Sequence, residues 1–408
     1  MVNDERREIL IANNRREYGR DYDFLVFPTP EQAMRAHAER DELLAWLRNN
    51  AEFSCNDTKV DGQKLSPGCQ TCAIGAWSCL FINGRCNVSC FYCPTPQDQT
   101  DKPLSNGIPF ATPDDYADYI ALFGFTGASI SGGEPLLTLD RTLAYLTAVR
   151  RRCGDAVHLW MYTNGTLLTK EIAEKLLDAG LGEIRFDIGA VNYDLSTLKL
   201  AVGIIPTVTV EIPAVPEEEE RLRSMLAEMA ESGVQHLNLH QMRLTPHNLR
   251  HLANRDYTFV HGEKVTVLES ELAALRLVQH AIKYRIDLPV NYCSFPYKRR
   301  FQHAAARSRG IKFIQGEHET VTEAGYLRVL GAGSVQYFEA VTLPDDSNRH
   351  SVFDIPLSSG SRIIIEKRPV SPLIHVDSSL FNDLSSLTSL PEELRIFEKI
   401  SFGLSDYF

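Results

Sequence analysis

A chain of 408 residues, 44% hydrophobic and 23% charged, has a globular composition and a length that suits two or three domains. Its 42 Lys+Arg against 53 Asp+Glu give a net charge of −11, which excludes generic nucleic-acid binding through a basic surface. No apolar run reaches the roughly 18 residues of a membrane span, so no membrane role is expected. The start, MVNDERREIL, lacks the basic stretch and apolar core of a signal peptide. Nine cysteines without an export signal point to a reducing cytoplasm and to metal ligation rather than disulfides.

In chain order, residues 1–54 read as a polar helical segment, with Pro28-Thr29-Pro30 opening an amphipathic stretch that carries Leu43, Leu44 and Trp46. Packing or a lid role is expected there. Residues 55–78, with Gly62, Pro67, Gly68 and Gly75, read as a loop. A loop of that length needs something to order it. Cys55, Cys69, Cys72 and Cys79, spaced C-x13-C-x2-C-x6-C, are the number that closes a tetrahedral iron or zinc site. A second iron–sulfur cluster is the rival occupant, and Cys55, because of its distance, could instead be a plain buried thiol. Next comes Cys86-Asn87-Val88-Ser89-Cys90-Phe91-Tyr92-Cys93, a CxxxCxxC triplet. Three such thiolates can bind three irons of a [4Fe–4S] cluster and leave the fourth iron open for a substrate or cofactor. A reading of another class is a scaffold whose cysteines bind only zinc.

Beyond the triplet, strand and helix patterns alternate. Strands are expected at 79–83, 127–131, 157–162, 183–188, 206–212, 235–240 and 288–293, and helices at 114–124, 139–152, 169–179, after Pro216 and at 270–284. Such βα repeats imply a parallel sheet with right-handed crossovers. Chemistry then belongs at the C-terminal ends of the strands. The triplet follows the first strand, and Gly132-Gly133-Glu134-Pro135 follows the second. Thr163-Asn164-Gly165 ends the third, while Asp187 and Glu211 end the fourth and fifth. Either carboxylate could serve a site or be a paired structural group.

CxxxCxxC with Tyr92 before its last Cys, followed about 40 residues later by GGEP at a strand end, resembles the radical S-adenosylmethionine (SAM) superfamily. The run GCQTCAIGAWSCLFINGRCNVSCFYCP is similar to one branch of it. That branch holds archaeal proteins described as relatives of pyruvate formate-lyase activating enzyme, and the arginine C-methyltransferase of methyl-coenzyme M reductase. The resemblance covers roughly residues 55–310 and implies a partial (β/α)6 barrel. It implies a [4Fe–4S] cluster on Cys86, Cys90 and Cys93 that chelates SAM. One-electron reduction then releases a 5′-deoxyadenosyl radical, which abstracts hydrogen from a C–H bond. Gly132, Gly133, Glu134 and Pro135 would face the methionine amino group, and Asn164 would lie near the ribose. Asp187 and Glu211 would bind SAM hydroxyls or orient substrate. Tyr92 would set backbone against adenine, and its phenol could occupy the open iron until SAM displaces it.

His240, Gln241 and Arg243 fall at the sixth strand's end, where a scaffold role competes with a site role. Cys293 could supply a hydrogen atom or a ligand, or be a buried thiol, and Cys153 sits inert at a helix end. Seven basic residues against one acid between Arg285 and Lys312 form either a dock for an anionic or peptide substrate or an exposed helix face. From 312 to 408 short β runs at 326–330, 335–343 and 362–366 give way to a helical or loop-like tail. This reads as a β-rich module that binds cobalamin, by resemblance, or substrate. The expected activity is radical SAM chemistry, with C-methylation of a peptide or protein residue as its outcome. Oxidation, cross-linking or activation of a partner is the alternative. A flavodoxin or ferredoxin would supply electrons.

Overall fold

The computed structural model describes residues 2–55, 57–97, 102–302, 304–322, 325–331, 333–344, 353–370 and 374–375; the expected tail, 377–408, lies outside the described residues. The chain opens with helices α1 (Val2–Tyr18) and α2 (Pro30–Arg48). A capping box starts α2: the Thr29 hydroxyl accepts from the Gln32 N–H, the Gln32 side chain accepts from the Thr29 N–H, and Pro30 fills the first turn. The segment expected as helical ends in β1 (Glu52–Ser54), and the stretch expected as a loop instead contains β2 (Lys59–Asp61) and α3 (Pro67–Ala73). Three-residue strands and a two-turn helix are too short to show a period.

Then follow β3 (Trp77–Asn83), the small hairpin β4 (Leu104–Ser105) and β5 (Ile108–Pro109), α4 (Pro113–Phe123) and β6 (Gly127–Gly132). Next are α5 (Leu139–Cys153), β7 (His158–Thr163), α6 (Lys170–Asp178), β8 (Glu183–Phe186) and β9 (Thr207–Pro213). They are followed by α7 (Glu219–Glu231), β10 (His236–His240), α8 (Leu249–Ala253) and the hairpin β11 (Phe259–Val260) and β12 (Thr266–Val267). The barrel region closes with α9 (Leu268–Lys283), β13 (Val290–Cys293), α10 (Phe295–Tyr297) and α11 (Ala304–Ile311).

Seven strands run parallel in the order β3-β6-β7-β8-β9-β10-β13, as the alternating pattern requires. Strands β2 and β1 extend the sheet antiparallel beyond β13, and β4 and β5 extend it beyond β3. Short 3-10 turns at Ile188–Val191 and Leu198–Leu200 stand between β8 and β9 in place of a full crossover helix.

The outward face of the sheet is apolar and packs with the helices in one continuous core that includes Leu80, Ile130, Met161, Ile184, Val210, Leu239 and Tyr292. The inward face is polar, because side chains two apart point the same way. Bonds link it strand to strand: Trp77 to Ser129 (2.9 Å), Arg185 to Tyr162 (3.3 Å) and Glu211 (2.5 Å), Asn238 to Glu211 (3.3 Å), and Asn291 to Asn238 (3.3 Å). Arg185, almost fully buried, also donates to Glu183 (2.7 Å), to Ser66 Oγ (3.1 Å) and to Cys69 Sγ (3.7 Å). Glu183 in turn accepts from the Gly68 N–H (2.8 Å), Thr209 (3.0 Å) and His158 (3.1 Å). Helix α3 is thereby held against the N-terminal ends of the strands, as a floor to the barrel. Burial alone would raise the Glu183 carboxyl, but the Arg185 guanidinium and the surrounding donors hold it well below the usual carboxylate range.

The C-terminal module is an antiparallel sheet of β14 (Thr320–Val321), β15 (Leu327–Gly331), β16 (Ser334–Pro344), β17 (Phe353–Pro356) and β18 (Arg362–Pro369), in the order β14-β15-β16-β18-β17; β19 (Ile374–His375) also pairs with β16. It docks on the barrel's flank. Ser358 and Ser359 N–H groups donate to Asp118 (3.0 Å) and Asp115 (2.9 Å) on α4, and Phe313 stacks between Phe123 and Phe353.

Replacing Arg185 by Leu would leave two carboxylates facing each other without their buried cation. We expect Arg185→Leu to lower unfolding free energy by roughly 3–5 kcal/mol in urea titrations. A loss below about 1 kcal/mol would show that the floor does not depend on this pairing.

Candidate active site

The triplet loop leaves β3 at Asn83, and two neighbouring strand ends grip it. From the β6 side, Gly133 N–H donates to Asn83 O (2.9 Å) and Glu134 N–H to Arg85 O (2.8 Å). The Asn83 side chain answers, with Nδ2 donating to Glu134 O (3.1 Å) and Oδ1 accepting from the Arg85 N–H (2.8 Å). A Cβ on Gly133 would lie 1.9 Å from Arg85 O, and one on Gly132, at φ +127, would lie 2.2 Å from Asn83 O. The double glycine was expected to admit a ligand. Here it admits the protein's own backbone at Asn83 and Arg85.

Glu134 joins the same grip. It is fully buried, and its carboxylate accepts from the Leu136 N–H (3.0 Å), the Thr163 hydroxyl (2.9 Å) and the Asn164 N–H (2.8 Å). It therefore ties the end of β6 to the end of β7, and Pro135 continues into the short turn Pro135–Thr138. Burial raises the Glu134 carboxyl against those three bonds. Asn164 provides the second grip: Nδ2 donates to Asn87 Oδ1 (2.8 Å) and lies 3.8 Å from Cys86 Sγ, while Oδ1 accepts from the Thr166 N–H (2.9 Å).

From β8 comes the third contact. The Tyr92 phenol donates to both Asp187 oxygens (2.9 and 3.1 Å). Asn248 Nδ2 holds the Tyr92 carbonyl (3.1 Å), and Arg255 lies 3.5 Å over the Phe91 ring. Burial pushes the Asp187 carboxyl up to about 6 despite donors from Tyr92 and the Ala190 and Gly189 N–H groups. Burial and the Asp187 charge push the Cys90 thiol up to about 12. A cationic centre is what would make it a thiolate.

Cys86, Cys90 and Cys93 are each half-buried on this one loop, with Cys93 N–H bonded to Cys90 O (3.1 Å). Three thiols at the mouth of a parallel barrel suit three irons of a [4Fe–4S] cluster. As the side chains stand, no three His, Cys, Asp or Glu among the described residues are grouped so as to hold a metal ion.

Below the loop, the wall is open where inward side chains are incompletely covered: Phe81 at 40% exposure, with half-buried Cys79, Ser131, Tyr162, Glu211 and His240. Glu211 is the paired carboxylate, bound to Arg185. His240 is kept neutral, since burial and the Lys298 charge hold it well below the usual imidazole range. Gln241 is scaffold, its Oε1 accepting from the Phe295 N–H (3.1 Å), and Arg243 lies over the Phe295 ring.

The remaining thiols are spread over several elements. Cys69 and Cys72 are buried on α3, and Cys55 Sγ faces Ala73 O (3.7 Å). Cys79 lies within β3, in register with Ser129 of β6. Cys293 is buried at the end of β13, and Cys153 is half-buried at the end of α5. Three residues of the basic run are spent on the protein itself. Arg309 donates to Gly75 O (3.1 Å) and Gly124 O (2.5 Å), Lys312 to Leu122 O (3.0 Å) and Arg307 to Gly325 O (3.2 Å). Two of them cap the C-terminus of α4, where cations are favoured.

Asn83, Asn87, Arg185 and Asn248 were not foreseen. Their signal is a polar residue at an inward strand position, as in Glu183-Ile184-Arg185-Phe186, or an Asn beside a glycine-rich strand end.

A parallel α/β barrel with a thiol triplet after its first parallel strand defines the class: an enzyme fold that presents a metal cluster at the barrel mouth. Residues 80–212 match the radical SAM superfamily, and the chain carries a radical SAM domain. A Methanocaldococcus jannaschii protein, provisionally named a glycyl-radical enzyme activating enzyme, is 28% identical over 276 residues, 65% of this chain and 72% of its own. GTP 3′,8-cyclase of Petrotoga mobilis is 31% identical over 115 residues, 28% of this chain and 35% of the cyclase, so that match spans about a third of the cyclase. Among solved structures, SuiB of Streptococcus suis bound to S-adenosylmethionine aligns with TM-score 0.40 and 13% identity, over 52% of this chain and 49% of SuiB. Among the described residues no helix is long and apolar enough to cross a membrane.

Because Gly133 meets Arg85 backbone, Gly133→Ala must displace the triplet loop. We expect it to keep the fold by circular dichroism yet retain under half of the wild-type iron after anaerobic reconstitution, roughly the loss expected when ligand positioning fails.

Proposed function

We propose that this chain cleaves SAM reductively and removes hydrogen from a C–H bond of a peptide or protein residue, with C-methylation as the outcome. The observation that carries the reading is the triplet loop, gripped by three strand ends directly above an accessible polar chamber. A [4Fe–4S] cluster with SAM supplies, when bound, a 5′-deoxyadenosyl radical. Cys86, Cys90 and Cys93 would hold the cluster. Gly132–Pro135 and Asn164 keep that loop in one position, and Asp187 aims the Tyr92 phenol at the Cys90 side of it. Phe81, Tyr162 and Glu211 wall the chamber, while α3 closes its floor against water. Cys55, Cys69, Cys72 and Cys79 would hold a second metal ion, iron or zinc, that orders the segment beside the site. The C-terminal module would carry cobalamin for the methyl transfer.

A second reading follows from the Methanocaldococcus jannaschii relative, whose name describes activation of a glycyl-radical enzyme. In that case hydrogen is taken from a partner protein and no methyl group moves.

Replacing Cys86, Cys90 or Cys93 by Ala should each reduce 5′-deoxyadenosine formation to background in an anaerobic assay with dithionite. Wild-type turnover by Cys90→Ala overturns the assignment. SAM labelled in its methyl group separates the two fates. Label retained in a peptide, together with a cobalamin absorption spectrum, supports methylation. A product radical without transferred label supports activation.

A further inference from the structure

We propose that Asn248 is a positioning residue for Cys93, and that the N-terminal segment and residues 241–267 form the clamp that holds it there. This rests on the cluster reading above and adds a support for the triplet from outside the barrel strands.

The grips from β6 and β7 act on Asn83, Arg85 and Asn87, all ahead of Cys90, and β8 holds the Tyr92 side chain. The peptide unit that leads into Cys93 is held differently. Its N–H donates to Cys90 O (3.1 Å), and its carbonyl, that of Tyr92, accepts from Asn248 Nδ2 (3.1 Å). Asn248 is fully buried, and an amide has two N–H donors and two lone pairs to place. Here Nδ2 also donates to Arg243 O (3.1 Å), while Oδ1 accepts from the Thr245 N–H (2.8 Å) and hydroxyl (3.3 Å). A buried amide with every position filled has one orientation, so it fixes the Tyr92 carbonyl against Arg243 and Thr245. Beside it the Arg255 guanidinium lies 3.5 Å over the Phe91 ring. Glu217 holds that guanidinium (2.7 Å) and also accepts from the Tyr257 hydroxyl (2.6 Å).

The stretch that presents Asn248 leaves the sheet after β10 and has an apolar core of its own. Leu244, Leu252, Phe259 and Val265 join Tyr18 and Tyr22 there, and Phe91 and Tyr92 pack against it. Polar contacts tie the N-terminal segment to the same stretch. Asn14, almost fully buried, donates to Gly262 O (3.0 Å) and accepts from His261 Nδ1 (3.1 Å). The Tyr22 hydroxyl meets His261 Nε2 (3.2 Å), and the Tyr18 hydroxyl donates to Leu244 O (3.2 Å). The hairpin that Asn14 grips then pairs with the segment ahead of Asn248: Val267 N–H donates to Met242 O (3.0 Å) and Leu244 N–H to Val265 O (2.8 Å).

The N-terminal segment, where packing or a lid was expected, thereby becomes the outer half of a clamp on the triplet loop. Cys86 is placed by the barrel strands and Cys93 by this clamp, so the span between the two thiols depends on both.

The test is hydrogen exchange on the full-length chain without its cluster, which makes the result independent of the reaction. Asn248→Asp keeps the shape and the Thr245 bonds but turns the donor that faces two carbonyls into an acceptor. We expect it to speed exchange in peptides spanning 88–93 by about tenfold or more, with the β7 peptide 158–163 unchanged. Asn14→Ala, remote from the loop, should produce the same local effect, and it tests the clamp even where Asn248→Asp does not fold. Tyr145→Phe removes a comparable buried bond, from Tyr145 to Phe110 O (2.8 Å), and should change neither peptide. After anaerobic reconstitution, both Asn variants should release iron to a chelator about tenfold faster than wild type or Tyr145→Phe. Unchanged exchange at 88–93 in either Asn variant, or an equal rise in β7, overturns the proposal. A wild-type chain that takes up no iron overturns the cluster reading, while the exchange result still decides the clamp.

Discussion

Arg185 is the point on which the interior is built. A guanidinium has five donors in a fixed plane, and here they reach Glu183, Glu211, Tyr162, Ser66 and Cys69 on four separate elements. A cation in that position would be prohibitively costly without carboxylates beside it, and either carboxylate would be costly without the cation. The three charges are therefore stable only together, and together they fix β8 to β9 and both to α3. The hydrophobic core outside the sheet does not do this. It would tolerate an empty lumen, whereas the polar belt specifies what fills it.

The barrel consequently has two ends with different physics. At the floor, side chains are buried and donor–acceptor pairs are nearly complete, so the elements there are locked by charge and hydrogen bonds. At the mouth, the loop carrying Cys86, Cys90 and Cys93 has no regular structure and borrows its position from its neighbours. Backbone bonds from Gly133 and Glu134, the Asn164 amide and the Tyr92–Asp187 pair come from three consecutive strands. That arrangement leaves the thiols half-buried and able to meet a ligand, while the peptide between them is held.

This division explains what could be read from the chain alone. The strand order, the helix positions and the location of the triplet follow from periodicity and from the rule that βα loops carry chemistry, and both are local properties. Gly132-Gly133-Glu134-Pro135 was legible as a position but not as an interaction. Two glycines announce a close approach without saying whether a ligand or Arg85 makes it. The basic residues from Arg307 to Lys312 illustrate the same gap, since sequence records their charge but not that the carbonyls of Leu122 and Gly124 absorb it. The strands around Phe53 and Val60 were missed because three residues cannot display a period of two convincingly.

Cysteine spacing likewise records order along the chain and not position in the sheet. Cys79 is close to Cys72 in the chain, but β3 is a strand, and a strand turns alternate side chains to opposite faces regardless of what precedes it. Its thiol therefore belongs to the chamber wall with Ser129 and Ser131. Cys293 is more than two hundred residues from Cys69, yet the parallel pairing of β10 with β13 sets it one step along the same face from Asn291, beside the Asn238 that already donates to Cys69. Contact order along the chain and contact in the barrel diverge most at the strand that completes the parallel run.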